Sequence, residues 1–381
     1  MLQTFLDTKP LYYDEIDYTR MPRIYQRIRP FLKIPKIIHL IGTNGKGTTG
    51  RFLASALYSL GFDVGHYTSP HILEFNERLW HNGSNVSYAK LDSVHTNLLA
   101  LLTPQEADAL SYFEYTTLLA LLLYGECDYI VLEAGLGGEY DATAVFENIV
   151  TLVTPIDFDH EAFLGNNISA IATTKLNAVQ SKAILAKQVH PEVSIIAQQI
   201  AQKKSLEIKS YDIYLDEKER EKIALIARNN ALPLYLVENL KLAVAALKHL
   251  QLSFEVQDFS NAKLFGRLSC LNKNILIDVG HNTLAAKSIY NALKENKYIL
   301  VYNSYKDKNY KEILSILQPI ILHVEIIEVV DDRIEEPEKL LCAIEELGIE
   351  YRAFEQIEDD ENYLVFGSFS VVETFLKGYR G

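Results

Sequence analysis

Short apolar runs alternate with helical patterns along this chain, and that alternation limits its fold more than any other feature. KIIHLI (36–41), DVGHYT (63–68), DYIVLEA (128–134) and NIVTLVT (148–154) are rich in β-branched or aromatic residues. Near-continuous apolar strands of this kind belong to sheets covered on both faces. Between the first two, TTGRFLASALYSLG places Phe52, Leu53, Ala56, Leu57 and Leu60 on one helical face, and Gly61 can end the helix. Strand–helix alternation predicts an α/β fold with a mostly parallel sheet. The pattern restarts with ILIDVG (275–280), YILVYN (298–303), HVEIIEVV (323–330) and YLVFGS (363–368). LYLVENLKLAVAALKHL (234–250) reads as a helix closing the first part, and 253–266 as the linker. The expected division is a larger α/β domain over 1–258 and a smaller α/β domain over 263–381.

Bulk composition excludes several functions. With 381 residues, 48% apolar and 23% charged, the chain has material for a core in each domain. The net charge is −13, and much of the acid lies in 331–361, a solvated face. That balance argues against nucleic acid, which needs clustered Lys and Arg, but not against a small anion held by a glycine loop. No run approaches the roughly 18 apolar residues of a membrane span, and the N-terminus does not read as a signal peptide. Cys127, Cys270 and Cys342 are far apart, as reduced thiols of a cytoplasmic protein would be. A monomer is expected.

IHLIGTNGKGTTG (38–50) is the stretch richest in chemistry. It follows a strand and opens a helix, so its glycines can bring backbone N–H groups onto phosphate oxygens at a helix N-terminus. The usual phosphate loop has Ser or Thr after its lysine. Here Gly47 follows Lys46, and Leu40 stands where the first glycine belongs. Lys46 would neutralise phosphate charge, and Thr48 or Thr49 could reach Mg²⁺. Gly45–Gly50 also matches the dinucleotide fingerprint G-x-G-x-x-G, with Asp63 downstream. Asp63, however, starts the second strand, whereas the ribose-binding acid belongs at its end. A plain ligand-free turn would not need four glycines and a lysine in nine residues.

GTNGKGTT resembles the phosphate loop of the folylpolyglutamate synthase/dihydrofolate synthase family, in the Mur ligase superfamily, whose loop carries a glycine between the lysine and the hydroxyl residue. YTSPH (67–71), SYFEYTTLLAL (111–121), VLEAGLGGEYDAT (131–143), DFDHEAFLG (157–165), GRLS, IDVGHN and VFGSFSVVE resemble further family blocks in order, over roughly 16–377. The resemblance implies a Mur ligase central-type phosphate-loop domain plus a smaller Rossmann-like C-terminal domain. It implies an ATP- and Mg²⁺-dependent ligase adding L-glutamate to dihydropteroate, reduced folates or both.

The resemblance also implies roles. Gly42, Thr43, Asn44, Gly45, Lys46, Gly47 and Thr48 hold nucleotide, with Asn239, Arg267, Asp278 and His281 as further contacts. Thr48, Ser69, Glu133 and His160 are metal ligands. Lys46, His160 and Lys175 are catalytic, Lys175 being the lysine that this family carbamylates, although its usual Glu and Ala-Gly neighbours are Thr174 and Leu176-Asn177 here. Asp17 (in EIDYTR), Ser111, Tyr112, Phe113, Glu114, Tyr140, Asp141 and Ala142 line the pterin side. YKDKN (305–309) is similar to a family His-Asp-Lys turn, with Lys306 for the histidine, and Val279-Gly280 replaces Gly-Ala.

Three other readings compete. A cell-wall Mur ligase would carry an additional UDP-binding domain before its phosphate loop, and the loop here starts at Gly42. A nucleotide-dependent switch would bind without turnover. TTKLN (173–177) approaches a guanine-recognition motif but ends in Asn177 where a carboxylate is needed.

Overall fold

Strand β1 (Lys36–Ile41) is buried on both faces because its side chains alternate between two cores, as the period of two requires. Ile38 and Leu40 join one cluster, whereas Ile37 joins another. The structure is a computed structural model that describes residues 1–10 and 17–379, without the Ala162 side chain. Among these, β1 is followed by β2 (Val64–Tyr67), β3 (Leu79–His81), β4 (Ser84–Asn85), β5 (Tyr129–Glu133), β6 (Val150–Val153), β7 (Lys182–Leu185) and β8 (Glu207–Ser210). They form one sheet in the order β4-β3-β2-β5-β1-β6-β7-β8. It is parallel except for the β2–β3 and β3–β4 pairings. β1 lies centrally between β5 and β6, so the chain leaving its C-terminal end emerges where ligands bind in such sheets.

Helix α1 (Lys46–Ser59) packs on one face of this sheet through Phe52, Leu53, Ala56 and Leu57. Helix α2 (Tyr112–Leu123) covers the other face through Leu118, Leu119 and Leu121. Each fully buried Leu of this kind stabilises the fold by about 1.5–3 kcal/mol relative to an exposed one. Helix α3 (Ile168–Leu176) lies over a third cluster that includes Ile41 and Val153. Helix α4 (Leu234–His249) buries Leu240, Leu242, Val244 and Leu247 in the α1 cluster.

The chain divides into two compact units. One comprises 1–157, 161–232 and 236–263; the other comprises 158–160, 233–235 and 264–381. Residues 254–262 are not a free connector, since Phe254, Phe259 and Ala262 are buried in the first unit's core. The second unit has a sheet of β9 (Ser269–Asn272), β10 (Ile275–Asp278), β11 (Tyr298–Tyr302), β12 (Ile321–Ile326), β13 (Tyr351–Ala353) and β14 (Tyr363–Phe366), ordered β13-β12-β11-β14-β10-β9. Only β9 runs antiparallel to its neighbour. Helices α5 (Thr283–Leu293) and α6 (Phe369–Gly378) belong to this unit. β12 starts and ends earlier than HVEIIEVV predicts: the Ile327 N–H still reaches the Tyr302 carbonyl, but the chain then turns outward and Val330 is exposed. Among the described residues no helix is long and apolar enough to cross a membrane.

Candidate active site

β1 ends at Ile41, and α1 begins at Lys46 after four intervening residues. Gly42 (φ +137°) and Gly45 (φ +89°) take left-handed conformations that other residues rarely adopt. Space enforces the choice as well. A Cβ on Gly42 would lie 2.1 Å from Thr154 Oγ1, and one on Gly45 would lie 2.4 Å from Asn239 Oδ1. The loop is pinned from β6's side: Thr43 N donates to the Pro155 carbonyl (2.9 Å), and Thr43 Oγ1 donates to the Asp157 carbonyl (3.0 Å). Asn44 N also points at Pro155 O (3.4 Å), and Gly47 is buried in the first turn of α1.

Gly45 caps α1 without a side-chain hydrogen bond, so the first-turn N–H groups and the helix dipole are left for an anion. Lys46 Nζ folds back on the Gly42 carbonyl (3.3 Å) and the Thr43 carbonyl (3.2 Å), and lies 3.9 Å from Glu133 Oε1. Thr48 and Thr49 are buried, and their hydroxyl oxygens have no hydrogen-bond partner. Buried hydroxyls are normally satisfied, so two orphans in one helical turn beside the glycine loop stand out.

Glu133 ends β5 and is 4% exposed. Its Oε2 accepts from Thr68 Oγ1 and from Ser69 N (3.2 Å). Thr48, Ser69 and Glu133 offer only oxygen, which suits a hard cation such as Mg²⁺, and the orphaned Thr48 hydroxyl fits a ligand role. Lys175 is no surface lysine. It is 3% exposed, and its Nζ donates to the Gly42 carbonyl (3.0 Å). Gly138 makes that approach possible, since a Cβ there would meet Lys175 Cα and O at 2.6 Å.

In the second unit, Asp278 ends β10 with both oxygens engaged. Oδ1 accepts from Gly280 N (2.8 Å); Oδ2 accepts from Leu268 N (2.8 Å) and Tyr235 Oη (3.1 Å). Burial pushes its carboxyl up, against Arg267 and these hydrogen bonds. Arg267 lies over the Phe369 ring, with its Cζ 5.4 Å from the centroid. His281 Nδ1 faces the Val279 carbonyl (3.1 Å), leaving Nε2 3.7 Å from Asp159 Oδ2.

Asp159 and Lys308 lie inside the DFDHEAFLG and YKDKN blocks, but the resemblance assigns a role to His160 and draws attention to Lys306 rather than to these two. Lys306 Nζ donates to the Asp332 carbonyl (2.8 Å) at the surface, while Lys308 Nζ binds Asp159 Oδ1 at 2.7 Å, the Lys308 and Asp159 side chains each 6% exposed. Burial opposes ionisation of Asp159. Hydrogen bonding to His281 and the charges of His281, His160 and Lys308 outweigh it, and they hold the carboxyl well below its usual range. His160 sits at φ +52°, its Nε2 3.9 Å from Asp159 Oδ2.

On the expected pterin side, Glu15 and Ile16 of EIDYTR lie outside the described residues. Asp17 accepts from Thr19 N (2.9 Å) and Oγ1 (2.7 Å), which lowers its pKa. Ser111 and Glu114 cap α2 reciprocally: Glu114 N donates to Ser111 Oγ (3.1 Å), and Ser111 N donates to Glu114 Oε2 (2.8 Å). Glu114 is also paired with Arg20 at 2.8 Å. Asp141 is buried and organises its own loop. It accepts from Gly135 N and Leu136 N through Oδ2, and from Thr143 N and Oγ1 through Oδ1. Ala142 is core. Tyr112 stacks under Arg78, whose Cζ is 5.1 Å from the ring centroid, and Phe113 packs on Tyr67 with centroids 5.9 Å apart. Tyr140 is 59% exposed and lies 4.4 Å from the Tyr18 ring.

No family model matches the chain. A dihydrofolate synthase/folylpolyglutamate synthase of Haemophilus influenzae is 30% identical over 343 residues, covering 81% of this chain and 77% of that one. The crystal structure of Helicobacter pylori folylpolyglutamate synthetase superposes with a TM-score of 0.82 at 40% identity, covering 99% of this chain and 97% of the other. A Yersinia pestis bifunctional folylpolyglutamate synthase/dihydrofolate synthase, complexed with AMPPNP and Mn ion, superposes with a TM-score of 0.82 at 25% identity, over 99% and 96%.

Proposed function

Because the chain belongs to the dihydrofolate synthase/folylpolyglutamate synthase family, we propose that Lys46, Thr48, Ser69 and Glu133 form the centre where this ATP-dependent ligase activates a folate-type carboxylate for coupling to L-glutamate. A carboxylate is a poor acyl donor because oxide would have to leave. Transfer of the γ-phosphoryl group breaks its bond to ADP, makes one to a carboxylate oxygen, and gives an acyl phosphate. The glutamate amine then attacks the acyl carbon, phosphate leaves with the C–O electron pair, and the nitrogen releases its proton.

The chain contributes position and charge. The uncapped first turn of α1 and the glycine loop hold phosphate oxygens. Lys46 can exchange its two long carbonyl contacts, at 3.3 and 3.2 Å, for phosphate oxygens with little loss. Mg²⁺, when bound, neutralises charge on those oxygens as a Lewis acid. Thr48, Ser69 and Glu133 are the residues that would hold it; His160 stays in the proposal on its motif. Lys175 fixes the loop through the Gly42 carbonyl, and a carbamate there would keep an N–H for this bond while adding an anion. Asn239 backs Gly45, and Arg267, Asp278 and His281 stay in the proposal as nucleotide contacts on their motifs. For the pterin, Phe113, Tyr112 and Tyr140 offer ring faces, while Asp17, Ser111, Glu114, Asp141 and Ala142 shape the surrounding backbone. On this reading the enzyme is a monomer working on small molecules where ATP is made and used, in the cytoplasm.

The observation that carries the reading is the pair of buried, unpartnered hydroxyls, Thr48 and Thr49, in the first turn of a helix whose lysine lies 3.9 Å from Glu133. The test offers purified protein ATP and glutamate with dihydropteroate or tetrahydrofolate, and weighs the products by mass spectrometry. ADP release requiring both acid and amine supports ligation; nucleotide binding without product refutes it.

A further inference from the structure

Asp63, His81 and Cys127 converge at the edge of the first sheet that the phosphate loop does not use. Asp63 immediately precedes β2, His81 ends β3, and Cys127 lies two residues before β5. The pairing of these strands makes them meet: Gly65 is opposite His81, and Val64 is opposite Tyr129. His81 Nε2 lies 2.6 Å from Asp63 Oδ1, and Cys127 Sγ lies near both. One oxygen, one nitrogen and one sulfur atom fall within 4.8 Å of one another. β1 and β5 run parallel in register, so this edge and the phosphate loop lie at opposite strand ends, roughly 15–20 Å apart.

We propose that Asp63, His81 and Cys127 form a binding site for a divalent transition metal of the zinc type, separate from the nucleotide's cation. The donor set decides the class. Mg²⁺ takes oxygen, whereas imidazole, thiolate and carboxylate together suit Zn²⁺ in a tetrahedral site with solvent in the fourth position. The supports around the donors are in place. Asn82 Nδ2 donates to Asp63 Oδ1 (3.1 Å), and the Asp63 backbone N–H donates to Asp128 Oδ2 (2.9 Å). Tyr124 Oη fastens β2 to β3 by donating to the carbonyls of His66 (3.3 Å) and Trp80 (3.0 Å). Its ring fills the place a Gly65 side chain would take. The Asp63 and His81 side chains are 45% and 41% exposed while Cys127 is 9% exposed, so a cation enters from solvent and meets the thiol as the inner ligand. Metal binding replaces the thiol proton, which is released to solvent.

Co²⁺ is the probe, because Zn²⁺ is spectroscopically silent. The reduced full chain, stripped with chelator, is titrated with Co²⁺ in the absence of nucleotide. The expected result is one equivalent bound, with a thiolate-to-cobalt charge-transfer band that added Zn²⁺ abolishes and excess Mg²⁺ does not. The band is expected to persist in the Cys270→Ser/Cys342→Ser double variant, which leaves the three donors untouched. It is expected to vanish in Cys127→Ser, and His81→Gln is expected to weaken Co²⁺ binding at least tenfold. The double variant assigns the thiolate to Cys127 even where Cys127→Ser does not fold. No thiolate band in the unmodified chain, or a band lost in the double variant, overturns the proposal.

Discussion

Replacing Gly45 by Ala separates backbone strain from crowding in the phosphate loop. Gly45 sits at φ +89°, and an L-residue held in the left-handed region is destabilised by roughly 1–2 kcal/mol. The new methyl would also lie 2.4 Å from Asn239 Oδ1 and 3.0 Å from its Cγ and Nδ2. Asn239 is 7% exposed on α4, so the amide has little room to rotate away, and overpacking of this kind adds about 1–3 kcal/mol. Gly45→Ala should therefore lower unfolding free energy by roughly 2–5 kcal/mol in a urea titration. Asn239→Ala removes all three clashing atoms and keeps a helix-forming residue. In the double variant the crowding part should return and the strain should remain, a coupling of about 1–3 kcal/mol. Strict additivity, within roughly 0.5 kcal/mol, would show that the methyl never meets Asn239 and that the loop geometry described here is wrong.

Four further outcomes follow from the same geometry. Lys46→Ala should keep the fold by circular dichroism and reduce ligation by about 10²–10³-fold, as loss of one charge-stabilising donor does; ligation at the native rate would remove Lys46 from the site. Glu133→Gln should raise the Mg²⁺ concentration giving half-maximal turnover by about tenfold or more, read from a Mg²⁺ titration of ADP release. Lys308→Met leaves Asp159 buried without its lysine and should destabilise the protein by about 3 kcal/mol, with most of the loss recovered in the Asp159→Asn/Lys308→Met double variant. Asp331, bonded to Arg333 and Ser370, is held down to about 2 from 3.8, so its contribution to stability is complete above the unfolded value and drains as pH falls towards about 2. The stability gap between the native chain and Asp331→Asn should accordingly close on acidification through that window, and a gap independent of pH would contradict the pairing.

The fold class was legible because buried parallel strands announce themselves as apolar runs. KIIHLI, DYIVLEA and NIVTLVT contain β1, β5 and β6, and ILIDVG and YILVYN contain β10 and β11. What the runs do not mark are edge strands, whose exposed positions carry polar residues. β8 is EIKS, and β13 is YRA with all three residues exposed. The β3–β4 hairpin did carry a readable signal, Asn82-Gly83. Both residues adopt positive φ, 46° and 100°, as the mirror-image turns of hairpins require. That hairpin delivers His81 to Asp63, so overlooking a two-residue turn also conceals the second cluster of metal donors.

The two halves of the candidate chemistry differ in legibility for a physical reason. Around Gly42–Thr49 the constraint is local. A left-handed backbone demands glycine, the helix start demands its place after the strand, and both leave marks at fixed spacing in the sequence. Asp159 and Lys308 are joined by a constraint that is not local. Each stands in a charged stretch, DFDH and YKDKN, where any of several residues could turn inward. Only the folded register decides that Lys308 is buried on Asp159 while Lys306 stays outside on a backbone carbonyl. An isolated buried carboxylate would lose far more in desolvation than it gains, so the pairing is obligatory once Asp159 is inside. Backbone-made parts of a site can thus be read from one chain's spelling, whereas charge-paired parts become visible only when the partner's position is known.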